Sequence, residues 1–571
     1  MLAVRQKQQL AQPKTSWQLC LLAIVVGLVA AFLIMGFNYV IEVIQLWYLS
    51  EDLDYTSLDE ISRFDLPIFG ALAILTIAWL TGYKYARTGI PFVLHRLKTA
   101  HGIIPLKNTI NQFIGSAIAI ASGFSVGREG PAVHLGAACS SFIGSKFQLP
   151  YNSIRTLCAC GIAAGIAASF NTPLAAVIFV MEVILHEYKV YMFIPIMLAA
   201  IVGTLVTNSF GGITHELEFF KTVALEVQHY PSLLLLGLFL GILAFLYNRY
   251  LVAIIKHSAK FHIVARILCA GFITGVLAYY VPFAMGNNIS AVDFSLSHQW
   301  QLDLLLGLLA AKFVMTIVAL GLGVPGGTIG PILSIGAIAG TCTSVIVLKF
   351  IAGEHIASDF ALMGMAGFMA ATLNAPLAAL LAVVELSNQL ETIVPAMIVI
   401  SAACIASGQI FKNRSLFTMQ LDVQGLNYRK TPIEQSLQKI GVLGVLSPNF
   451  SVFETSQHSE AIDNAINATA TDKKGRPVEC FTIEKRTVQG INQLYWLAKE
   501  ELEGAPINSE PPKVTEHLLF PLSSQSTLAE VYLALVDQRS GGVYIYNKHV
   551  DDIIGVITFE QIRLYLLTGK L

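Results

Sequence analysis

Two charged side chains stand where charge is costly. In Ser125-Val-Gly-Arg128-Glu129-Gly130-Pro131 an arginine and a glutamate separate two apolar runs, and a charge inside a membrane helix costs at least ~2.5–3.5 kcal/mol on insertion scales. Gly130-Pro131 begins the second run, and proline near a first turn marks a helix start. A helix start presents unpaired N–H groups and the positive end of its dipole, so the ligand suited to this place is an anion. A carboxylate on the same turn can occupy the anion's place itself. The competing reading is a structural Arg–Glu pair in a surface loop. Two more acids, Glu182 and Glu385, close apolar segments and read as buried carboxylates accepting helix-end N–H bonds.

Other matches lack their context. Gly123-Phe-Ser125-Val-Gly127 fits the G-x-S-x-G of a serine hydrolase, but that elbow follows a strand and this one ends an Ala/Ile-rich helix. Gly321-Leu-Gly323-Val-Pro-Gly326 fits G-x-G-x-x-G without βαβ alternation and with Pro325 in its turn. No H-E-x-x-H, P-loop or Cys/His ligand spacing occurs, so neither a metal nor an enzyme activity is expected.

The elements that must hold these residues are membrane helices. Of 571 residues 55% are hydrophobic and 13% charged, and the mean hydropathy is +0.64. The balance of 36 Lys+Arg against 37 Asp+Glu leaves no basic excess for nucleic acid. About one residue in ten is charged in 1–425 and about one in five in 426–571, which predicts a bilayer-embedded part and a water-facing part. Leu19–Val40 is too long for a signal-peptide core. Many later apolar runs are shorter than the ~20 residues a span needs and stop at Gly or Pro, as at Thr172-Pro173 and Ala375-Pro376. Backbone groups at such interruptions must be buried in protein or line a polar pathway. Arg5, Lys7 and Lys14 precede the first run and six acids follow it between Glu51 and Asp65, which places the N-terminus in the cytoplasm. The eight scattered cysteines form no pairing ladder and read as small core residues in a reduced cell.

The apolar part repeats itself. Gly161–Glu182 aligns with Gly364–Glu385 through a shared N-x-P-L-A-A, and Gly127-Arg-Glu-Gly-Pro131 with Gly327-Thr-Ile-Gly-Pro331. Two halves with interrupted helices in matching places are the sign of a transporter whose site lies at the repeat interface. The repeats cover about 68–210 and 262–420.

Taken together, these residues resemble the CLC family of chloride channels and chloride/proton exchangers. Gly127–Pro131 matches the family's G-R-E-G-P, Thr88-Gly-Ile-Pro91 is similar to G-S-G-I-P, and Gly327–Pro331 to G-x-F-x-P. The resemblance implies an all-α polytopic domain over 1–425 with two inverted repeats, and a homodimer with one chloride pathway per subunit in lipid. Anion-site residues would be Thr88, Gly89, Ile90, Pro91, Arg128, Gly130, Thr328, Ile329, Gly330 and Phe417, with Glu129 as the gate. The sequence departs from the family at Arg87, which replaces a glycine, at Ile329, which replaces a phenylalanine, and at Phe417, which replaces the inner tyrosine and lacks its hydroxyl; Tyr428 is a rival alignment. Exchangers commonly carry a second glutamate after the one matching Glu182, whereas Val183 stands there and cannot take a proton. The expectation is therefore a passive chloride channel, with chloride/proton antiport as the alternative. Fluoride export is set aside because G-R-E-G-P is complete.

The water-facing end, 426–571, changes to mixed α/β. Leu519–Leu522, a helix over 527–537, Gly542–Tyr546, Ile553–Thr558 and a short final helix read β-α-β-β-α. That order resembles a cytoplasmic CBS module over about 514–571, with 442–503 as a divergent first copy and 499–510 as a linker. Adenine nucleotide is the ligand such pairs elsewhere take, and Gln561 stands where their aspartate would be, so no cofactor is expected. The cell's inner, or plasma, membrane is the expected location, with both termini cytoplasmic. A nucleotide sensor anchored in the membrane is the remoter reading.

Overall fold

The computed structural model describes residues 4–49, 54–211, 225, 227–286, 288–297, 301–350, 356–426, 430–454, 470–471, 477–478, 480–488, 491–499 and 514–568. The chain divides into two compact units, Leu19–Ile143 with Arg155–Tyr428, and Met1–Gln18 with Gly144–Ile154 and Arg429–Leu571. The division after Tyr428 lies close to the expected 425. The short pieces 1–18 and 144–154, expected in the membrane part, group with the tail instead.

The first unit is all helix. After α1 (Val4–Ala11), which belongs to the other unit, come α2 (Trp17–Gln45), α3 (Glu60–Thr81), α4 (Gly89–Thr99), α5 (Leu106–Ala121), α6 (Glu129–Lys146), α7 (Tyr151–Phe170), α8 (Pro173–Phe179) and α9 (Val190–Gly211). Then follow α10 (Tyr230–Ser258), α11 (Ile263–Tyr280), α12 (Asn288–Ser297), α13 (Leu302–Leu322), α14 (Ile329–Val347), α15 (Ile356–Leu373), α16 (Pro376–Ser387), α17 (Ile393–Cys404) and α18 (Leu416–Val423). Among the described residues ten helices are long and apolar enough to cross a membrane, while Pro173–Leu185 and Pro376–Ser387 are shorter.

Prolines set where the short helices begin. Pro173 and Pro376 are the first residues of α8 and α16, where a missing N–H costs nothing because that group has no intrahelical partner. The two repeats pack alike. A Cβ on Gly136 of α6 would collide with the Gly161 carbonyl of α7, and one on Gly336 of α14 with the Gly364 carbonyl of α15. Glycine at these crossings lets the helix backbones touch, the usual device where lipid supplies no hydrophobic drive between helices.

The tail unit carries α19 (Pro432–Leu437), β1 (Phe450–Glu454), β2 (Ala470–Thr471), β3 (Pro477–Val478), β4 (Phe481–Val488), β5 (Ile491–Lys499), β6 (Val514–Ser523), α20 (Leu528–Leu535), β7 (Gly542–Tyr546), β8 (Ile553–Thr558) and α21 (Phe559–Thr568). From β6 onward the order is the β-α-β-β-α expected for the second CBS-like copy. Thr527 and Glu530 form a reciprocal capping box that starts α20 and satisfies two orphan N–H groups. The two copies share one six-stranded sheet in the order β1-β4-β5-β6-β7-β8, joined by antiparallel pairing of β5 with β6 from Leu494↔Leu519 to Lys499↔Val514. Leu437, Val442, Leu528, Leu535, Ile545, Ile557 and Ile562 form the core beneath its second half. Of the expected linker only residue 499 is described; residues 500–510 lie outside the described residues, as does Tyr428.

Candidate functional site

The two glycine-proline motifs of the repeats meet. Gly127 N–H donates to the Gly327 carbonyl at 2.8 Å and Gly327 N–H to the Gly127 carbonyl at 2.7 Å, so the segments entering α6 and α14 pair as a one-rung antiparallel bridge. Glu129, the first residue of α6, is 3% exposed. Its carboxylate folds back over this bridge: a Cβ on Gly327 would stand 2.6 Å from Glu129 Oε2 and 2.9 Å from the Gly127 carbonyl. Glycine at both positions leaves the room that the carboxylate occupies.

Beside the bridge lies a cavity of about 490 Å³. Its wall includes Thr88, Gly89, Ile90 and Pro91 at the start of α4, Gly130 on the first turn of α6, Thr328 just before α14, and Phe417 on the first turn of α18. The fold thus brings together seven of the residues that the sequence motifs single out. Glu129 and Ile329 line a second, narrower cavity of about 40 Å³ with Thr172, Phe179 and Met369. Arg128, half-buried, and Gly330, buried, line neither of these cavities. Phe417 is 1% exposed and carries no hydroxyl into the wall, so the donors at that end are those of the helix starts.

Each donor has a local cause. Thr88 caps α4 from extended backbone and its side chain makes no capping bond. Gly89 holds φ at +81°, a conformation that disfavours residues with a Cβ, and its N–H is taken by Gln112 Oε1 at 2.5 Å. Pro91 has no N–H, so Ile90 carries the next donor of that turn. The buried Thr328 hydroxyl has no hydrogen-bond partner among the described residues. Lys84, Arg87 and Arg266 also line the cavity, and among the described residues no carboxylate does. Arg266 Nε donates to the Leu322 carbonyl at 3.1 Å, which anchors its guanidinium at the wall. Four helix starts and three cations, with no acid among the described residues, make this an anion-attracting cavity.

Val183 is 4% exposed in the π-turn that extends α8, beside Glu182. Glu182 and Glu385 do not face the cavity. Glu182 accepts from Leu377 N–H at 3.3 Å and Ala378 N–H at 2.7 Å, and Glu385 accepts from Leu174 N–H at 2.9 Å and Ala175 N–H at 2.7 Å. Each acid therefore caps the short helix of the opposite repeat. In the tail, Gln561 bonds the Thr558 N–H at 3.1 Å and Ser447 Oγ at 3.0 Å, so its amide is committed within the fold.

Sequence reasoning missed Arg266, Lys84 and Gln112. Arg266 had a signal, a lone cation inside the apolar run 262–281. Gln112 had none, because a polar residue on a part-polar helix is ordinary.

This arrangement of paired repeats and converging helix starts defines an anion-transport fold. The family model described as voltage gated chloride channel matches residues 69–408, and the chain belongs to that family, the CLC family. Among similar proteins, the H(+)/Cl(-) exchange transporter ClcA of Vibrio campbellii is 26% identical over 442 residues, covering 73% of this chain and 92% of its own. The voltage-gated ClC-type chloride channel ClcB of Escherichia coli O9:H4 is 28% identical over 404 residues, covering 68% and 94%. The crystal structure of a slow cyanobacterial Cl-/H+ antiporter superposes with a TM-score of 0.65 at 20% identity, covering 72% of this chain and 98% of its own.

Proposed function

We propose that the protein exchanges chloride for protons through a pathway gated by Glu129. The observation that carries this reading is the buried carboxylate at the start of α6, lodged over the Gly127–Gly327 bridge. As a carboxylate it is an anion held by the dipole that would hold chloride. Protonated, it loses that attraction and yields the place, so proton binding at this one residue opens the place to chloride. Likeness to a named exchanger and a named antiporter supports exchange over the passive channel that Val183 suggests. Chloride would reach the site through the cation-lined cavity.

Transport would need no resident cofactor and no covalent step. Gln561, bonded to Thr558 and Ser447, supports a tail that does not bind adenine nucleotide. We place both termini in the cytoplasm of a plasma-membrane protein, because Met1–Gln18 and the tail fold into one unit, and we take the functional form to be a homodimer.

The test is the reversal potential of protein reconstituted in liposomes. Exchange predicts a potential that moves when a pH gradient is imposed at fixed chloride; a potential that stays at the chloride Nernst value establishes the channel instead.

A further inference from the structure

His134 is a histidine that the fold buries completely and then leaves unbonded. It is 0% exposed on α6, and among the described residues neither ring nitrogen has a hydrogen-bond partner. Buried polar groups in folded proteins are almost always bonded, and an exception calls for a cause. Its position supplies one. Residues four apart on a helix share a face, so His134 stands one turn beyond Gly130, which lines the anion cavity. Its ring stacks on Phe92, with centroids 5.7 Å apart and planes 10° off parallel, and Phe92 stands one turn beyond Thr88 of the same cavity wall. The His134–Phe92 pair is thus the layer directly behind the Gly130–Thr88 layer. Along the axis of α6 it lies about 7.5 Å past Glu129, at 1.5 Å per residue.

We propose that His134 is the proton relay that serves Glu129, filling the role that Val183 cannot; this rests on the exchange reading above. One nitrogen takes the proton of a hydronium ion on the far side of the Gly130 layer, leaving water and giving the imidazolium. The other nitrogen releases its proton through water to the Glu129 carboxylate, which becomes the acid, and the ring returns to neutral. Two nitrogens without fixed bonds let the ring pass protons either way, as an exchanger requires. Chloride uses the cavity in front of the layer, and the proton passes behind it.

Among the described residues no acid is bonded to the ring to fix it as a cation. Ala132 and Gly136 face α7 and His134 lies on the opposite side of the helix. The titratable groups on the packed elements are Glu129, Cys139 and Lys146 on α6, Tyr151, Arg155, Cys158 and Cys160 on α7, and His95, Arg96 and Lys98 on α4, with Glu187 paired to Arg155. Arg96 Nε is held by the Ile103 carbonyl, Cys139 Sγ by that of Gly136, and Cys158 Sγ by those of Gly102 and Ala137. The carboxylate nearest along α6 is Glu129.

Chloride efflux and proton uptake measured together from liposomes test the relay. In His134→Gln and His134→Asn chloride efflux should stay within about threefold of wild type while proton uptake falls at least tenfold. His134→Glu, which keeps a titratable group, should retain proton uptake. An unchanged proton-to-chloride ratio in the Gln and Asn variants, or equal loss of both fluxes in all three, overturns the relay. Wild-type protein that moves chloride without protons overturns the exchange reading itself and the relay with it.

Discussion

In the proposed exchange, Glu129 and the three cations act at separable steps, and substitutions distinguish them. Glu129→Gln removes the charge that competes with chloride while keeping the shape, so chloride flux should persist, its pH dependence should vanish, and proton movement should drop below detection. Flux measured from pH 4.5 to 7.5 checks this; a steep pH response in the variant would remove Glu129 from the gate. Arg266→Ala and Arg87→Ala, by contrast, change only the local potential of the cavity. Exposed or half-exposed charges of this kind are worth up to about 1 kcal/mol and are screened within about 10 Å at 0.1 M salt. Chloride flux should therefore fall two- to fivefold at low ionic strength and recover toward wild type at 0.5 M, a salt dependence that a folding defect would not show.

At the scale of elements, the crossed caps are the feature most open to measurement. Glu385→Ala leaves Leu174 and Ala175 N–H without their acceptor, and Glu182→Ala does the same to Leu377 and Ala378. Ala175 and Ala378 are buried, and a buried donor left unpaired costs about 1–3 kcal/mol, so each variant should unfold several degrees lower in detergent while its transport ratio stays unchanged. The short helices were legible because Pro173 and Pro376 suit a helix start, and the acids were legible as cap acceptors because a buried carboxylate at an apolar helix end needs N–H donors. The crossing itself was not: the acceptors lie 195 to 211 residues from their donors, and local sequence carries no record of a partner that distant. The same limit hid Gln112, whose bond to Gly89 spans the turn between two helices. The motif residues that line the cavity were legible because helix starts announce themselves through Gly and Pro, whereas Lys84 and Arg266 reach it only through tertiary packing.

The whole molecule joins membrane and tail sequences within one unit. Asn152 Nδ2 donates to the Leu10 and Ala11 carbonyls at 3.1 Å, Ser153 Oγ to Leu10 at 2.7 Å, Gly441 N–H to Ala11 at 2.9 Å, and Gln525 Nε2 to Leu149 at 3.0 Å. The N-terminal segment is thereby stapled between residues 149–153 and the tail. Asn152→Ala with Ser153→Ala should speed hydrogen exchange in 4–11 and 438–446 at least tenfold while the strands β6 to β8 stay protected; unchanged exchange would show that the staple carries no weight. Within the sheet, Arg486 bridges Glu484 and Glu516, which holds the Glu516 carboxyl below the usual carboxylate range. That contribution is present above the unfolded carboxylate's pKa and is lost as pH falls through the lower folded value. Arg486→Ala should therefore lower tail stability at pH 7 but not at pH 2, by a small amount because the pair is largely solvent-exposed. The second CBS-like copy was readable from strands bounded by turn residues, but the sharing of one sheet by both copies was not, since edge pairing depends on which strand ends lie free.

The crossed caps also set a clock for synthesis. The N–H of Ala175 leaves the ribosome 210 residues before Glu385, and at about 5–20 residues per second that interval is roughly 10–40 s. For that time the first repeat sits in the bilayer with a helix start that none of its own residues closes. Its maturation is therefore tied to translation of the second repeat, and a pause or truncation before residue 385 would strand a half-protein that the cell's quality control can recognise by its open end.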